Sequence, residues 1–117
     1  MLQVKRVYDT PSSEDGYRVL VDRLWPRGLK REAALVHSWL KEIAPSDELR
    51  RWFGHDPERW KEFQARYGKE LAAQEPLWRE LLQRARKGRV TLLYGAKDIQ
   101  HNNAVVLKSF LDSKPGQ

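Results

Sequence analysis

The sequence predicts a single small α/β domain in which helices flank a mainly parallel sheet of three to four strands. Val19–Val21 and Val90–Tyr94 are short continuous apolar runs, which are typical of strands buried on both faces. Helical apolar patterns lie between these runs, and strands that alternate with helices favour a parallel sheet. The 117 residues are enough for one hydrophobic core and too few for two.

The predicted strands follow from these apolar runs and from the polar turn between the first two. The stretch TPSSEDG separates a strand over Gln3–Tyr8 from a strand over Tyr17–Leu24. Its proline, serines and glycine favour a turn over regular structure. The third predicted strand is Val90–Tyr94, which follows a glycine that ends the preceding helix.

Helical patterns occupy the middle of the chain. Apolar residues recur with helical spacing from Leu35 to Ile43, before Ala44-Pro45, and this spacing predicts a helix there. Ser46 has the side chain of an N-cap and predicts a second helix over Asp47–Phe53, whose acidic first turn lies at the positive end of the helix dipole.

Three further helices complete the predicted fold. Asp56-Pro57 is a start signal, with aspartate as N-cap and proline in the first turn. Pro76 begins the next helix, which is predicted to end at Gly88. The last helix is predicted to start at about Gln100.

Composition narrows the classes of function. Lys and Arg outnumber Asp and Glu by 22 to 16, and this net charge of +6 favours anionic partners such as nucleic acid or phosphorylated small molecules. Carboxylates lie among the basic residues throughout the chain. Charge alone therefore does not distinguish a protein that binds anions from an ordinary soluble protein with mixed charges. Because the chain has no cysteine, thiol chemistry, disulfides and thiolate metal sites are excluded.

The predicted domain covers residues 1–113, followed by a frayed tail over residues 114–117. No apolar run approaches the roughly 20 residues of a membrane span, and the start MLQVKRVYD lacks the apolar region of a signal peptide. We therefore expect a cytoplasmic protein without a membrane partner. The three histidines lack metal-ligand spacing and no cofactor motif occurs, so neither a metal nor a cofactor is predicted. Nothing in the sequence indicates the oligomeric state.

Two strand ends carry most of the residues that suggest chemistry. In an open parallel sheet, ligands bind beyond the carboxyl ends of the strands. The exit of the second strand has the sequence VDRLWPRG and supplies Asp22, Arg23, Trp25 and Arg27. The exit of the last strand has the sequence YGAKDIQHN, whose candidates are Tyr94, Lys97, Asp98, His101 and Asn102.

If the two exits share one pocket, their side chains form an anion site. Arg23 and Arg27 would clamp an anion with their forked donors, and Lys97 would add charge. The helix predicted after this turn would point free backbone N–H groups at the same space. His101 would act as a general acid or base, and Asp22 would orient one of the basic groups.

Each candidate also has a structural interpretation. Asp98 suits a helix N-cap, Trp25 with its following proline suits a packing corner, and Arg27 suits a solvated loop. The joint occurrence of polar residues on two strand exits favours a site more than any one residue does.

The motifs VDRLWPRG, WLKEIAPS, LRRWFGHDPERWKEFQARY and LLYGAKDIQHNNAVVL together resemble the YeaO-like branch of domain-of-unknown-function family 488. The resemblance covers nearly the whole chain and implies a single bacterial α/β domain with no established biochemical activity. It adds three candidates that lie among large aromatic side chains, namely the ligand-binding residues Lys41 and Arg50 and the catalytic residue His55. His55 follows a predicted helix end, where the helix dipole favours its cation.

Longer members of that family resemble the chain more weakly. Their first motif lies over Val21–Arg23, and their second lies over the turn after the last strand, where His101 matches a histidine. The chain lacks both cysteines of the second motif, and Asn102 stands where those members have an arginine. The resemblance therefore implies the position of a site without implying thiol chemistry.

Three functional hypotheses remain open on this evidence. The first, which we favour, is a small-molecule site for an anionic, phosphate-like ligand, either sensory or enzymatic through His55 or His101 with Asp22. The second is a nucleic-acid-binding module that uses the basic helix WRELLQRARKGR, although no helix-turn-helix or RNA-recognition signature accompanies it. The third is a protein–protein adaptor, which requires Trp25 or Trp78 to be exposed in an apolar patch.

Overall fold

A four-stranded, entirely parallel sheet forms the centre of the molecule in the computed structural model, which describes residues 1–114. The strand order in the sheet is β1-β4-β2-β3. The strands are β1 (Leu2–Arg6), β2 (Tyr17–Leu20), β3 (Ser38–Trp39) and β4 (Val90–Tyr94). The predicted α/β class with a parallel sheet is confirmed. Of the predicted tail, residues 115–117 lie outside the described part of the chain.

Helices connect the strands and cover the sheet. They are α1 (Arg31–Ala34), α2 (Asp47–Phe53), α3 (Trp60–Ala72), α4 (Glu75–Lys87) and α5 (Asn103–Asp112). Single 3-10 turns occur at Ser13–Asp15, Lys41–Ile43 and Pro57–Arg59. Within residues 1–114, none of the helices has the length and apolar character needed to cross a membrane.

β4 is buried along its whole length because both faces of the sheet are covered. Val19 and Leu92 contribute to the main core, which side chains of α2 to α5 complete. The next residue of each strand, Leu20 and Leu93, points to the opposite face and into a smaller cluster, which the segment 25–39 covers. This alternation explains why the two strands read as continuous apolar runs in the sequence.

Two predicted elements differ from the structure in type or extent. β2 ends at Leu20 rather than Leu24, because the next two carbonyls bond to side chains instead of a strand partner. The Val21 carbonyl accepts from the Asn103 amide at 2.9 Å, and the Asp22 carbonyl accepts from the Trp39 indole at 2.7 Å. The helix predicted from residue 35 to 43 is wrong. Leu35 has a left-handed backbone with a φ of 47°, which ends α1, and Trp39 belongs to β3.

The predicted helix boundaries are mostly confirmed. Ser46 caps α2 by accepting the Leu49 N–H at 3.1 Å, and Asp56 caps its 3-10 turn by accepting the Glu58 N–H at 3.0 Å. Gly88 follows the end of α4 as predicted.

The start of α5 is the exception among the predicted boundaries. The carboxylate of Asp98 accepts the N–H groups of Gln100 and His101, and these bonds form a separate turn rather than the first turn of the helix. The helix cap is Asn102, whose side chain accepts the Val105 N–H at 3.0 Å, so the helix starts later than predicted.

A buried ion pair lies near the start of β2. Arg18 is 2% exposed and Asp15 is 4% exposed, so the pair is removed from solvent. The Arg18 guanidinium donates to the Asp15 carboxylate, to the Ala34 carbonyl at 2.8 Å and to the Leu35 carbonyl at 3.0 Å. The Lys5 Nζ lies 3.0 Å from the same carboxylate. The pair therefore joins β1 and β2 to the end of α1.

Asp15→Asn is expected to lower the free energy of unfolding by about 3–5 kcal/mol at pH 7, because the Arg18 charge stays buried without its partner. Urea denaturation measures this change. Glu75→Gln, which breaks the exposed pair with Arg79, is the matched control and is expected to cost about 0–1 kcal/mol. Equal costs for the two variants would contradict a stabilising role for the buried pair.

The same pair predicts a dependence of stability on pH. Burial alone would raise the pKa of Asp15, but hydrogen bonds from the Ser12 N–H, Lys5 and Arg18 outweigh burial and lower the pKa. A lowered folded-state pKa stabilises the protein above the unfolded value, and this stability is lost as the pH falls through the folded value. The difference between wild type and Asp15→Asn should therefore shrink below a pH of about 3.9, the ordinary pKa of aspartate.

Candidate functional site

A cleft with a volume of about 520 Å³ opens beyond the carboxyl ends of β2 and β4, where ligands bind in open parallel sheets. Its walls come from the exit of β2, from the corner and helix α2 that follow β3, and from the exit of β4 with the start of α5. Tyr8, after β1, closes one side. We call it the arginine cleft, because four arginines line it: Arg23, Arg27, Arg50 and Arg51.

The parallel pairing of β2 with β4 brings the two strand exits together. The strands are in register from Tyr17 opposite Val90 to Leu20 opposite Leu93, so both end at the same edge of the sheet.

A side chain then ties the two exits to each other. The Asp22 carboxylate oxygen Oδ2 accepts the Gly95 N–H at 2.8 Å. A Cβ atom on Gly95 would lie 3.2 Å from that oxygen, which is tighter than an ordinary contact, so glycine permits this close approach.

Most of the residues predicted from the two exits and the middle motifs line this one cleft. They are Asp22, Arg23, Trp25, Arg27, Arg50, His55 and Asn102. The two exits therefore share one pocket, as the anion-site hypothesis requires.

The other predicted site residues lie outside the lining of the arginine cleft. They are Lys41, Tyr94, Lys97, Asp98 and His101. The His101 ring packs edge-on against Trp60, with ring centres 5.1 Å apart, and its Nδ1 lies 2.9 Å from Asp98 Oδ2. Hydrogen bonds from the Gln100 N–H and from His101 lower the pKa of the Asp98 carboxyl. This histidine and carboxylate thus pair with each other beside α3.

Lys41 and Tyr94 have structural surroundings instead. The Lys41 Nζ lies 5.3 Å from the centre of the Trp39 ring, and Tyr94 is buried in the main core. Lys97 is exposed on the turn after β4.

Sequence reasoning missed several residues of the cleft, of which Arg51, Tyr8 and Asn103 are the most informative. Arg51 follows Arg50 on α2. The apolar pattern of that helix did not indicate that Arg51 lines the cleft as well as Arg50. The Tyr8 hydroxyl donates to the Arg27 carbonyl at 2.8 Å and thereby closes the rim. The Asn103 amide donates to the Val21 carbonyl at 2.9 Å, which fixes α5 against the exit of β2.

Arg23 holds the corner between β3 and α2. Its guanidinium donates to the carbonyls of Ala44 at 3.2 Å and Pro45 at 3.3 Å, and it lies 3.9 Å from the Asp47 carboxylate. One planar side chain therefore spans two carbonyls, which suits arginine and not lysine. The corner leads directly into α2, so Arg23 also orients the helix that carries Arg50 and Arg51.

Asp22 is half-buried in the lining of the cleft. Burial raises the pKa of its carboxyl, and the Gly95 N–H, the Asn103 amide and the nearby His55 lower it in part. The net shift is upward.

His55 has a positive φ, which is uncommon among residues other than glycine. Its φ is 58°, directly after Gly54 with a φ of 53°, so two consecutive residues are left-handed. This region costs a residue with a side chain about 1–2 kcal/mol. No hydrogen bond within residues 1–114 engages the imidazole, although the ring lines the cleft. A glycine would satisfy the backbone better, and strain of this kind is found at functional positions.

The structure also bears on the adaptor hypothesis and on metal binding. Trp78 is buried, and Trp25 is half-buried beneath the Arg31 guanidinium, which lies 4.5 Å from its ring centre. The adaptor hypothesis therefore loses the exposed tryptophans that motivated it. Within residues 1–114, no three His, Asp or Glu side chains are grouped so that they could hold a metal ion.

His55→Gly is expected to raise the free energy of unfolding by up to about 1 kcal/mol, because glycine adopts a positive φ without steric strain. Thermal or urea unfolding measures the gain. His55→Ala removes the same imidazole but keeps a Cβ atom, so it serves as the control and should be less stable than the glycine variant. A glycine variant less stable than the alanine variant would show that the backbone at this position is not strained.

Comparison with known proteins places the chain in a family. A family model described as "Inactive DUF488-N3 subclade" matches residues 1–115. Uncharacterized protein YeaO of Escherichia coli strain K12 is 46% identical over 112 residues, which are 96% of this chain and 97% of that protein. Uncharacterized protein Rv3073c of Mycobacterium tuberculosis strain H37Rv is 39% identical over 113 residues, which are 97% of this chain and 95% of that protein. No solved structure gave a match. The chain therefore belongs to the DUF488-N3 family, in the subclade described as inactive, and the resemblance to YeaO-like proteins of domain-of-unknown-function family 488 is confirmed.

Proposed function

We propose that this protein binds a small anionic, phosphate-like molecule in the arginine cleft. The observation that carries the proposal is the charge of the lining, which contains four arginines and a single carboxylate, that of Asp22. Such a lining attracts anions because its charges are concentrated in a concave, partly desolvated space. The volume of about 520 Å³ lies within the range of about 300–1,000 Å³ that small-molecule sites occupy.

The arginines of the cleft differ in how far they are already engaged. Arg27 and Arg51 are exposed and make no ion pair with any carboxylate of the described residues. Arg50 lies 3.4 Å from the Asp47 carboxylate, and Arg23 spans two backbone carbonyls. We therefore assign direct contact with the anion to Arg27 and Arg51, and positioning of α2 to Arg23.

His55 completes the proposed anion site. Its imidazole can donate a hydrogen bond from a ring nitrogen to an anion, and within residues 1–114 no hydrogen bond already engages the ring. The description of the subclade as inactive favours binding over catalysis. We therefore assign His55 the role of a ligand contact rather than that of a general acid or base.

Arg51→Gln is expected to weaken the binding of inorganic phosphate about tenfold, because a hydrogen bond to a charged group contributes about 1.5–3 kcal/mol. Isothermal titration calorimetry at low ionic strength measures the affinity. A thermal-shift screen against nucleotides and sugar phosphates then ranks larger ligands.

Arg86→Gln is the matched control, because it removes the same charge from the same residue type outside the cleft. Arg86 lies near the end of α4, which leads into the start of β4, so it belongs to the opposite edge of the sheet. Equal loss of affinity in both variants would mean that net charge, and not the cleft, attracts the anion. That outcome would overturn the proposal.

Nucleic-acid binding stays an untested prediction that we do not favour. Several bases of the predicted α4 stripe are engaged: Arg79 and Arg84 pair with glutamates, and Arg89 donates to the Glu14 carbonyl at 2.9 Å. A polarisation assay with labelled DNA and RNA in a salt titration tests it. Absence of binding at about 50 mM salt, where electrostatic association is strong, would remove this hypothesis.

A further inference from the structure

Asp22 is the one carboxylate among the described residues that line the arginine cleft. Its position follows from the fold, since it lies just past β2 and its Oδ2 accepts the Gly95 N–H at 2.8 Å. That bond uses one of the roughly four lone-pair directions of a carboxylate. The Asn103 amide, which donates to the Val21 carbonyl at 2.9 Å, also lies near this carboxylate and lowers its pKa. Even with both groups engaged, lone pairs of the carboxylate stay open to a further donor.

A structural role alone does not account for a carboxylate here. An asparagine would accept the Gly95 N–H equally well and would avoid the cost of partly burying a charge. None of the four cleft arginines forms an ion pair with Asp22 within the described chain, so it does not serve as their counter-ion. The remaining lone pairs of the Asp22 carboxylate are acceptors in the lining of the cleft that also contains the four arginines.

Building on the proposed anion site, we propose that the ligand carries a hydroxyl group beside its anionic group, and that Asp22 accepts the hydrogen bond of this hydroxyl. The ligand class is then a hydroxylated phosphate ester, such as a polyol or sugar phosphate. The arginines bind the phosphate group. Asp22 then favours those phosphate esters that carry a hydroxyl group near the phosphate.

The surroundings of Asp22 favour a neutral donor over a cation. An ammonium group or a divalent metal ion in this position would share the cleft with four arginine side chains, whose repulsion a single carboxylate does not offset. A hydroxyl meets no such repulsion. The cleft is also larger than an inorganic anion needs, and Trp25, Phe53 and Phe63 give it apolar walls against which a carbon skeleton packs.

The test compares ligands that differ in hydroxyl groups. Methyl phosphate, glycerol 3-phosphate and ribose 5-phosphate are titrated into the wild-type protein by calorimetry. We expect the two hydroxylated esters to bind about tenfold more tightly than methyl phosphate, which corresponds to one hydrogen bond to a charged acceptor.

Asp22→Asn then isolates the carboxylate. Its amide oxygen still accepts the Gly95 N–H, so the fold is kept, and thermal unfolding verifies this. We expect the preference for hydroxylated esters to disappear in this variant, and methyl phosphate to bind more tightly than in wild type because a negative charge has left the cleft.

Gly95→Ala is a second variant that keeps every charge. The added Cβ would lie 3.2 Å from Asp22 Oδ2, so the carboxylate must shift. We expect a reduced preference for hydroxylated esters here as well. This variant keeps the inference testable if Asp22→Asn does not fold.

The outcomes separate the two proposals. If wild type binds all three phosphates with one affinity, or if Asp22→Asn weakens all of them equally, the inference about the hydroxyl is overturned and the anion site stands. If wild type binds none of them and Arg51→Gln changes nothing, the anion site and the inference fall together.

Discussion

The parallel pairing of β2 with β4 is the constraint on which the candidate site depends. Because the two strands are neighbours and run in the same direction, their polar exits leave the sheet at the same edge although they are about seventy residues apart in the chain. The bond from the Gly95 N–H to Asp22 then holds the exits in contact. The remaining walls are added by segments that fold back onto this edge, namely the corner held by Arg23 and the rim closed by Tyr8.

Charged side chains have different surroundings in two regions of the molecule. Near the start of β2, Asp15 and Arg18 are buried and engaged with each other and with backbone carbonyls, so their charges contribute to cohesion. At the carboxyl edge, Arg27 and Arg51 are exposed and carry no ion pair with a described carboxylate. The net charge of +6 therefore does not by itself predict anion binding, because that binding depends on which cationic side chains are already paired.

Three local departures from residue preference lie in the lining of the arginine cleft, although the left-handed Leu35 at the end of α1 lies outside it. His55 adopts a left-handed backbone that glycine would adopt more easily, and Asp22 is a partly buried carboxylate where an amide would suffice for the fold. Gly95 lacks the side chain that would displace that carboxylate. Natural sequences agree with their folds at most positions and depart from that agreement at functional sites, which supports the proposed role of this cleft.

The sequence by itself determined the α/β class, the two doubly buried strands and the capping residues Ser46 and Asp56, because these features depend on local spacing and local hydrogen bonds. It also indicated that both strand exits carry chemistry. Only the tertiary structure decided where β2 ends, since the indole of Trp39 takes the Asp22 carbonyl from a distant point in the chain. β3 has two residues and is too short to show a period, so its pairing with β2 had no sequence signal. The tertiary structure likewise decided that His55 lines the arginine cleft while His101 packs against Trp60, because the position of a side chain relative to remote residues is set by packing and not by sequence spacing.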